Sequence, residues 1–137
     1  MPLVTTDQGE VILLDMLVSV LGDELELHLF SNDHTPDRED TAADYDEADF
    51  SGYVSQLCEN WSNAAEVADK AQTTADPKQF AHNGGSEAND IYGYYVLDPV
   101  SGYLLWAERD QNAPIIMSAL GHTYTVTPRL TADSEYP

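Results

Sequence analysis

Two apolar runs of equal length lie either side of a short breaker-rich loop, and this arrangement constrains the fold more than any other feature of the chain. Ile91-Tyr92-Gly93-Tyr94-Tyr95-Val96-Leu97 and Tyr103-Leu104-Leu105-Trp106-Ala107-Glu108-Arg109 flank Asp98-Pro99-Val100-Ser101-Gly102. Aromatic and branched side chains suit a pleated surface, and Pro and Gly within so short a connection reverse the chain. The two runs are expected to pair as an antiparallel hairpin. Both of its faces are largely apolar, which places it as a central pair of a sheet.

Ahead of the hairpin the periodicity changes. Asp7 followed by Glu10 reads as a capping box, and Val11, Ile12, Leu13, Leu14, Met16, Leu17, Val18, Val20 and Leu21 then surround a helix with only Gln8, Asp15 and Ser19 as a polar stripe. Such a helix is expected to be buried on most sides, with Gly22 ending it in a left-handed cap. From Leu25 the period becomes two, with Leu25, Leu27 and Leu29 on one face of a strand and Glu26, His28 and Phe30 on the other. Ser51 to Leu57 is a further strand candidate. His122 to Leu130 is another, which Pro128 marks as an edge or an end. Asn83-Gly84-Gly85 is a turn. Asn60 to Phe80 stays undecided, because its alanines favour helix while Thr73, Thr74 and Pro77 favour turns and edges.

Charge limits the partners. The 137 residues carry 25 Asp and Glu against five Lys and Arg, a formal charge of −20. Naked nucleic acid and anionic membrane surfaces are excluded, since both require a cationic face. Asp outnumbers Glu and Lys is nearly absent, as is common in proteins from salt-rich surroundings. Ser31 to Asp49, with Asp23, Glu24 and Glu26, holds half the net charge and reads as a long acidic surface loop. The opening residues lack the basic start and cleavage site of a signal peptide. The apolar run Val11 to Leu21 is shorter than the ~20 residues that cross a bilayer.

No constellation for catalysis emerges. Ser51, Ser62, Ser101 and Ser118 lie outside any GxSxG elbow, no Gly-rich phosphate loop occurs, and His28, His34, His82 and His122 have no metal-ligand spacing. Asp37, Asp40, Asp44, Asp46 and Asp49 offer oxygen ligands but not the Gly and terminal acid of an EF-hand. Lone Cys58 excludes an intrachain disulfide and reads as a small buried hydrophobe. Asn60-Trp61-Ser62 fits the glycosylation pattern. Tyr45, Tyr53, Tyr92, Tyr94, Tyr95, Tyr103 and Tyr124 could form an aromatic platform or fill half-buried strands. Catalytic, cofactor and metal residues are therefore assigned to none, and the chain is read as a non-enzyme.

The ordered segments resemble a known family. Leu27-His28-Leu29-Phe30-Ser31-Asn32-Asp33 with Thr35-Pro36, Tyr45 to Tyr53, Tyr92-Gly93-Tyr94-Tyr95-Val96, Gly102 to Arg109 and Gly121 to Pro128 are similar, in this order, to small proteins encoded among the virion structural genes of tailed viruses. Ala64 to Ala75 departs from the match. The resemblance implies a β-rich virion component, a capsid decoration or cement protein on the capsid surface, assembled in the host cytoplasm, with no catalytic residues to transfer. Its partners would be the major capsid protein or other virion proteins and further copies of itself, for instance in a trimer. A tail or fibre component is the alternative position, and a Ca²⁺-dependent sugar-binding β-sandwich the alternative class.

The expected architecture is one domain over residues 1–137. It is mainly β, an antiparallel β-sandwich or partly closed barrel, with one buried N-terminal α-helix that covers a sheet edge or plugs one end. Residues 1–6 form an arm, 31–49 the acidic loop, and 131–137 a fraying tail.

Overall fold

The computed structural model describes residues 3–132. One helix, α1 (Asp7–Leu21), precedes eleven short strands, and every strand pairing is antiparallel. The strands are β1 (Glu26–Phe30), β2 (Gln56–Leu57), β3 (Ala65–Val67), β4 (Lys70–Thr74), β5 (Lys78–Ala81), β6 (Asn89–Ile91), β7 (Gly93–Leu97), β8 (Leu104–Arg109), β9 (Ile115–Met117), β10 (Thr123–Val126) and β11 (Arg129–Ala132). They form a four-stranded sheet in the order β2-β1-β7-β8, a three-stranded sheet β11-β4-β3, and the ribbons β10-β5 and β6-β9. The molecule is mainly β, and its sheets do not close into a barrel.

The alternation in β1 determines the main core. Leu27 and Leu29, with Tyr94 and Val96 of β7, turn one face of the four-stranded sheet toward Phe80 of β5, Val126 of β10, Ile91 of β6 and Met117 of β9. This sandwich-like packing also buries Leu25, Phe50 and Cys58. The opposite face carries His28, Phe30 and Tyr95, and the acidic segment folds over it with Tyr45 buried against Phe30 and Tyr95. Residues 31–49 are therefore a packed cover as well as an acidic surface. Ser31 and Asn32 bond to Asp46 and Asp44, and Glu47 makes a bridge to Phe30.

The hairpin forms as β7-β8, with Asp98 N–H bonded to the Tyr103 carbonyl at 3.0 Å. Only β7 is central. β8 lies at the sheet edge, where each of its residues is half-buried. The undecided stretch contains no helix: it holds β3, β4 and most of β5, joined by a turn and irregular segments. β3 and β4 join through Ala68 and Asp69, whose φ values of 52° and 66° make the two-residue reversal that hairpins favour, without the usual Asn-Gly marker. Between Ser51 and Leu57 only Gln56–Leu57 pairs as a strand. Thr131 and Ala132, expected to fray, pair with Gln72 and Ala71 of β4; residues 133–137, like Met1 and Pro2 of the arm, lie outside the described residues.

The helix departs most from expectation. It starts one residue earlier than the capping box implies: Thr6 is the N-cap, its hydroxyl accepting the Gly9 N–H at 3.1 Å and its carbonyl the Glu10 N–H at 2.9 Å. Its end tightens into a 3-10 turn, Gly22–Glu24, in place of a left-handed glycine cap. It neither plugs the sandwich nor covers an edge. It lies on the three-stranded sheet, where Leu14 joins Ala64 and Ala71 in a second, smaller core. Only Glu10 and Leu14 of α1 are buried, so the expectation of a helix buried on most sides fails within this chain.

Candidate interaction surface

A helix that is apolar around its circumference but covered on one side must present its other apolar side to solvent. Ile12, Met16 and Val20 stand four residues apart and form one ridge along the outer face of α1. Their exposures are 59%, 59% and 74%, and Leu13 beside the ridge is 57% exposed. In the arm just ahead of the helix, Leu3 and Val4 are also exposed. The four ridge side chains present on the order of several hundred Å² of apolar surface, the size at which an exposed patch on a monomer marks an interaction site.

Beside the ridge runs an open groove of about 570 Å³, with Ile12, Met16 and Val18 on one side and Trp61 on the other. Its shape is fixed by a tether: the Asp15 carboxylate accepts the Ala64 N–H at 2.6 Å and holds the segment after Trp61 against the helix. Trp61 is itself held edge-on by Trp106, with ring centroids 5.9 Å apart.

The rim is anionic. Asp15 and Asp23 line the groove, Glu24 follows in the 3-10 turn, and the last turn of α1 contains no basic residue. The negative end of the helix dipole thus coincides with two exposed carboxylates, an arrangement that costs about 0.3–1 kcal/mol per charge at low ionic strength. Among the described residues no Lys or Arg lines the groove. Lys78 pairs with Glu59, Arg109 with Asp33 and Arg129 with Glu108, while Arg38 lies in the acidic segment and Lys70 opens β4.

The residues singled out for chemistry meet in small hydrogen-bonded groups, such as Asp40 with His34 and Tyr45. Among the described residues no group of three or more His, Cys, Asp or Glu could hold a metal ion. The aspartates of 31–49 are spread along the chain as backbone and side-chain acceptors: Asp37 bonds the Glu39 N–H, Asp44 the Thr41 N–H, and Asp49 the Asn89 side chain. Asp40 accepts the Tyr45 hydroxyl at 2.7 Å and meets His34 Nε2 at 2.8 Å; these bonds lower its pKa to about 2. Burial, and then the Asp40 carboxylate, raise the Tyr45 pKa above the ordinary phenol value.

His28, expected at the surface or half-buried, is buried between two carboxylates, with Nδ1 on Glu47 and Nε2 3.3 Å from Glu26. His82 is also structural, its ring bridging the Glu87 carbonyl and the Gly84 N–H. His122 Nδ1 accepts a backbone N–H from Ser118. The Ser51 and Ser62 hydroxyls accept the N–H groups of Glu87 and Thr74 from other segments, and the Ser101 hydroxyl donates to Asp98 in its own turn. Burial raises the Cys58 pKa to about 12, which leaves an inert thiol. Asn60 is exposed and its side-chain amide donates to Asp76.

The tyrosines divide in favour of packing. Tyr45, Tyr94 and Tyr95 are buried, Tyr53, Tyr92 and Tyr124 half-buried, and only Tyr103 of the seven is exposed. A flat aromatic platform is not assembled. A cleft of about 210 Å³ near Tyr94 and Tyr124 is lined by Glu108 and Asp110, but each acid there already has a partner: Asp110 accepts the Tyr124 hydroxyl at 2.7 Å and Glu108 binds Arg129. The α1 ridge escaped the sequence reading because its apolarity was assigned to burial; a 3.6-residue period cannot say which face the chain itself covers. No helix among the described residues is long and apolar enough to cross a membrane.

Comparison with protein families, curated proteins and solved structures finds no match to the chain.

Proposed function

We propose that the chain is a structural virion protein of a tailed virus, a capsid decoration or cement protein that docks on its shell through the outer face of α1. The observation that carries this reading is the exposed ridge of Ile12, Leu13, Met16 and Val20 on a chain of charge −20. A free subunit must stay soluble until it assembles, and a surplus of Asp and Glu serves that need while one apolar face is kept for contact. Weak docking through a small patch becomes stable when it repeats over a symmetric lattice. The exposed, uncharged arm residues Leu3 and Val4 would order on a neighbouring subunit. The resemblance of the strand and turn segments to virion proteins supports the same class.

The test is quantitative mass spectrometry of purified particles of the virus that encodes the chain. Hundreds of copies per particle, released with intact shells, are expected for a decoration protein; a few copies retained with tails would assign it to the tail or fibre. Its absence from particles would overturn the reading.

A further inference from the structure

We propose that the α1 ridge and the groove beside Trp61 receive an amphipathic helix of a partner protein, apolar on its contact face and flanked by Lys or Arg, and not a second copy of this chain. The inference rests on the docking role proposed above and specifies the chemistry of the partner.

Shape selects a helix. Ile12, Met16 and Val20 form a single i, i+4 ridge about two turns long, and the groove running beside it is walled on its far side by Trp61. A ridge next to a groove is the surface that another helix of similar length fills with its own row of apolar side chains.

Charge selects the partner. Asp15 and Asp23 on the groove, exposed Asp7 at the head of the helix, and Glu24 after its end surround the apolar strip with carboxylates. The carbonyl end of α1 adds its negative dipole beside Asp23 and Glu24. Three of the five basic residues are engaged in ion pairs with Glu59, Asp33 and Glu108. A second copy would bring the same acidic rim against its equivalent, with no basic residue on α1 to relieve it. A helix with flanking Lys or Arg would meet the rim carboxylates and the negative end of the α1 dipole with cations. Like-charge juxtaposition excludes the copy while charge complementarity orients the foreign helix.

The test uses the full chain, at the lowest salt at which its circular dichroism is native, and three synthetic helical peptides of about 15 residues, the length of α1. One has Leu at i, i+4 spacing with Lys on both flanks. The second has the same Leu positions with Glu flanks. The third keeps the composition of the first but scatters its leucines around the helix. Calorimetric titration should show the ordered Lys peptide binding at least about tenfold more tightly than either other peptide, and weakening about tenfold as NaCl is raised to ~0.5 M. Met16→Asp, at an exposed position, should remove the binding and leave the circular dichroism unchanged.

Equal binding of the Lys and Glu peptides would overturn the charge argument. Equal binding of the ordered and scattered Lys peptides, or no binding by any of them, would overturn the groove. A dimer in sedimentation equilibrium that Met16→Asp dissociates would show that a second copy is the occupant, overturning the proposal. Particle mass spectrometry is independent of these results, so a chain found in shells that fails the peptide test loses only the partner chemistry.

Discussion

Leu13 and Leu14 are adjacent, chemically identical and on the same helix, yet truncating each to Ala should have very different consequences. Leu14 is 5% exposed and points into the small core between α1 and the three-stranded sheet, while Leu13 is 57% exposed. Removing a buried leucine side chain to the β-carbon costs about 2–5 kcal/mol, depending on how far neighbours collapse into the space. Here they can collapse only in part. The buried neighbours of Leu14 are Ala64 and Ala71, whose methyl groups cannot follow a retreating side chain without moving the backbone, while partly buried Val11 and Leu130 can shift toward the space. Leu14→Ala should therefore fall near the middle of the range, about 3–4 kcal/mol. Leu13→Ala loses only partial cover and gains slightly in helix propensity, so its effect should stay within about 0.5 kcal/mol. The difference of about 3 kcal/mol is more than a hundredfold in the ratio of folded to unfolded molecules, out of a typical total stability of 5–15 kcal/mol. Urea unfolding followed by circular dichroism and tryptophan fluorescence measures it, with unchanged m-values showing that the denatured states are comparable. Equal midpoint shifts for the two variants would refute the assignment of buried and open faces to α1, and with it the docking ridge.

Three further outcomes follow from the same structure. Thr6→Ala should lower stability by about 1 kcal/mol through loss of the Gly9 N–H acceptor, and by more than Asp7→Ala, which removes only a first-turn charge; the reverse order in thermal or urea melts would restore Asp7 as the cap. Asp40 has its folded pKa lowered from 3.8 to about 2, so its ionised form stabilises the fold above pH ~4 and that contribution is lost as the pH falls from there to about 2. The stability gap between wild type and Asp40→Asn should accordingly shrink as the pH falls from ~4 to about 2, and a gap that widens over that interval would contradict the bonds from Tyr45 and His34. Gly93→Ala should cost about 1–3 kcal/mol or more, because the added methyl would collide with the Glu108 carbonyl and lie 2.8 Å from the Phe30 ring; near-neutral unfolding of this variant would mean that β7 and β8 are not so closely apposed.

Much of the fold is readable in the order of residues. The alternating leucines of β1, the breakers at Asp98 to Gly102 and the helical period after Asp7 each signal their element through interactions within a few positions of the chain. The stretch from Asn60 to Phe80 is not readable in this way. Its hairpin turns at Ala68 and Asp69, two residues in the left-handed region without the Gly or Asn that ordinarily announces such a turn, and of its alanines Ala65 and Ala71 are strand residues, Ala71 passing beneath α1. His28 shares its strand face with Glu26, as the period of two implies, but gives no local sign that Glu47 also flanks its ring, since Glu47 comes from the far end of the acidic segment. The candidate site follows the same division. Its residues are plain in the sequence, but their role is not, because an apolar side chain looks the same whether its own chain or another one covers it.

Periodicity, capping and charge alone thus determined that this chain makes one helix and an antiparallel β framework with a strongly anionic surface, since these depend on near neighbours and on summed composition. Tertiary structure alone decided that the acidic segment folds inward through Tyr45 and that α1 lies on the smaller sheet with Ile12, Met16 and Val20 turned outward. Burial is a relation between segments distant in the chain, fixed by which surfaces meet once the backbone closes, and no local pattern encodes that meeting.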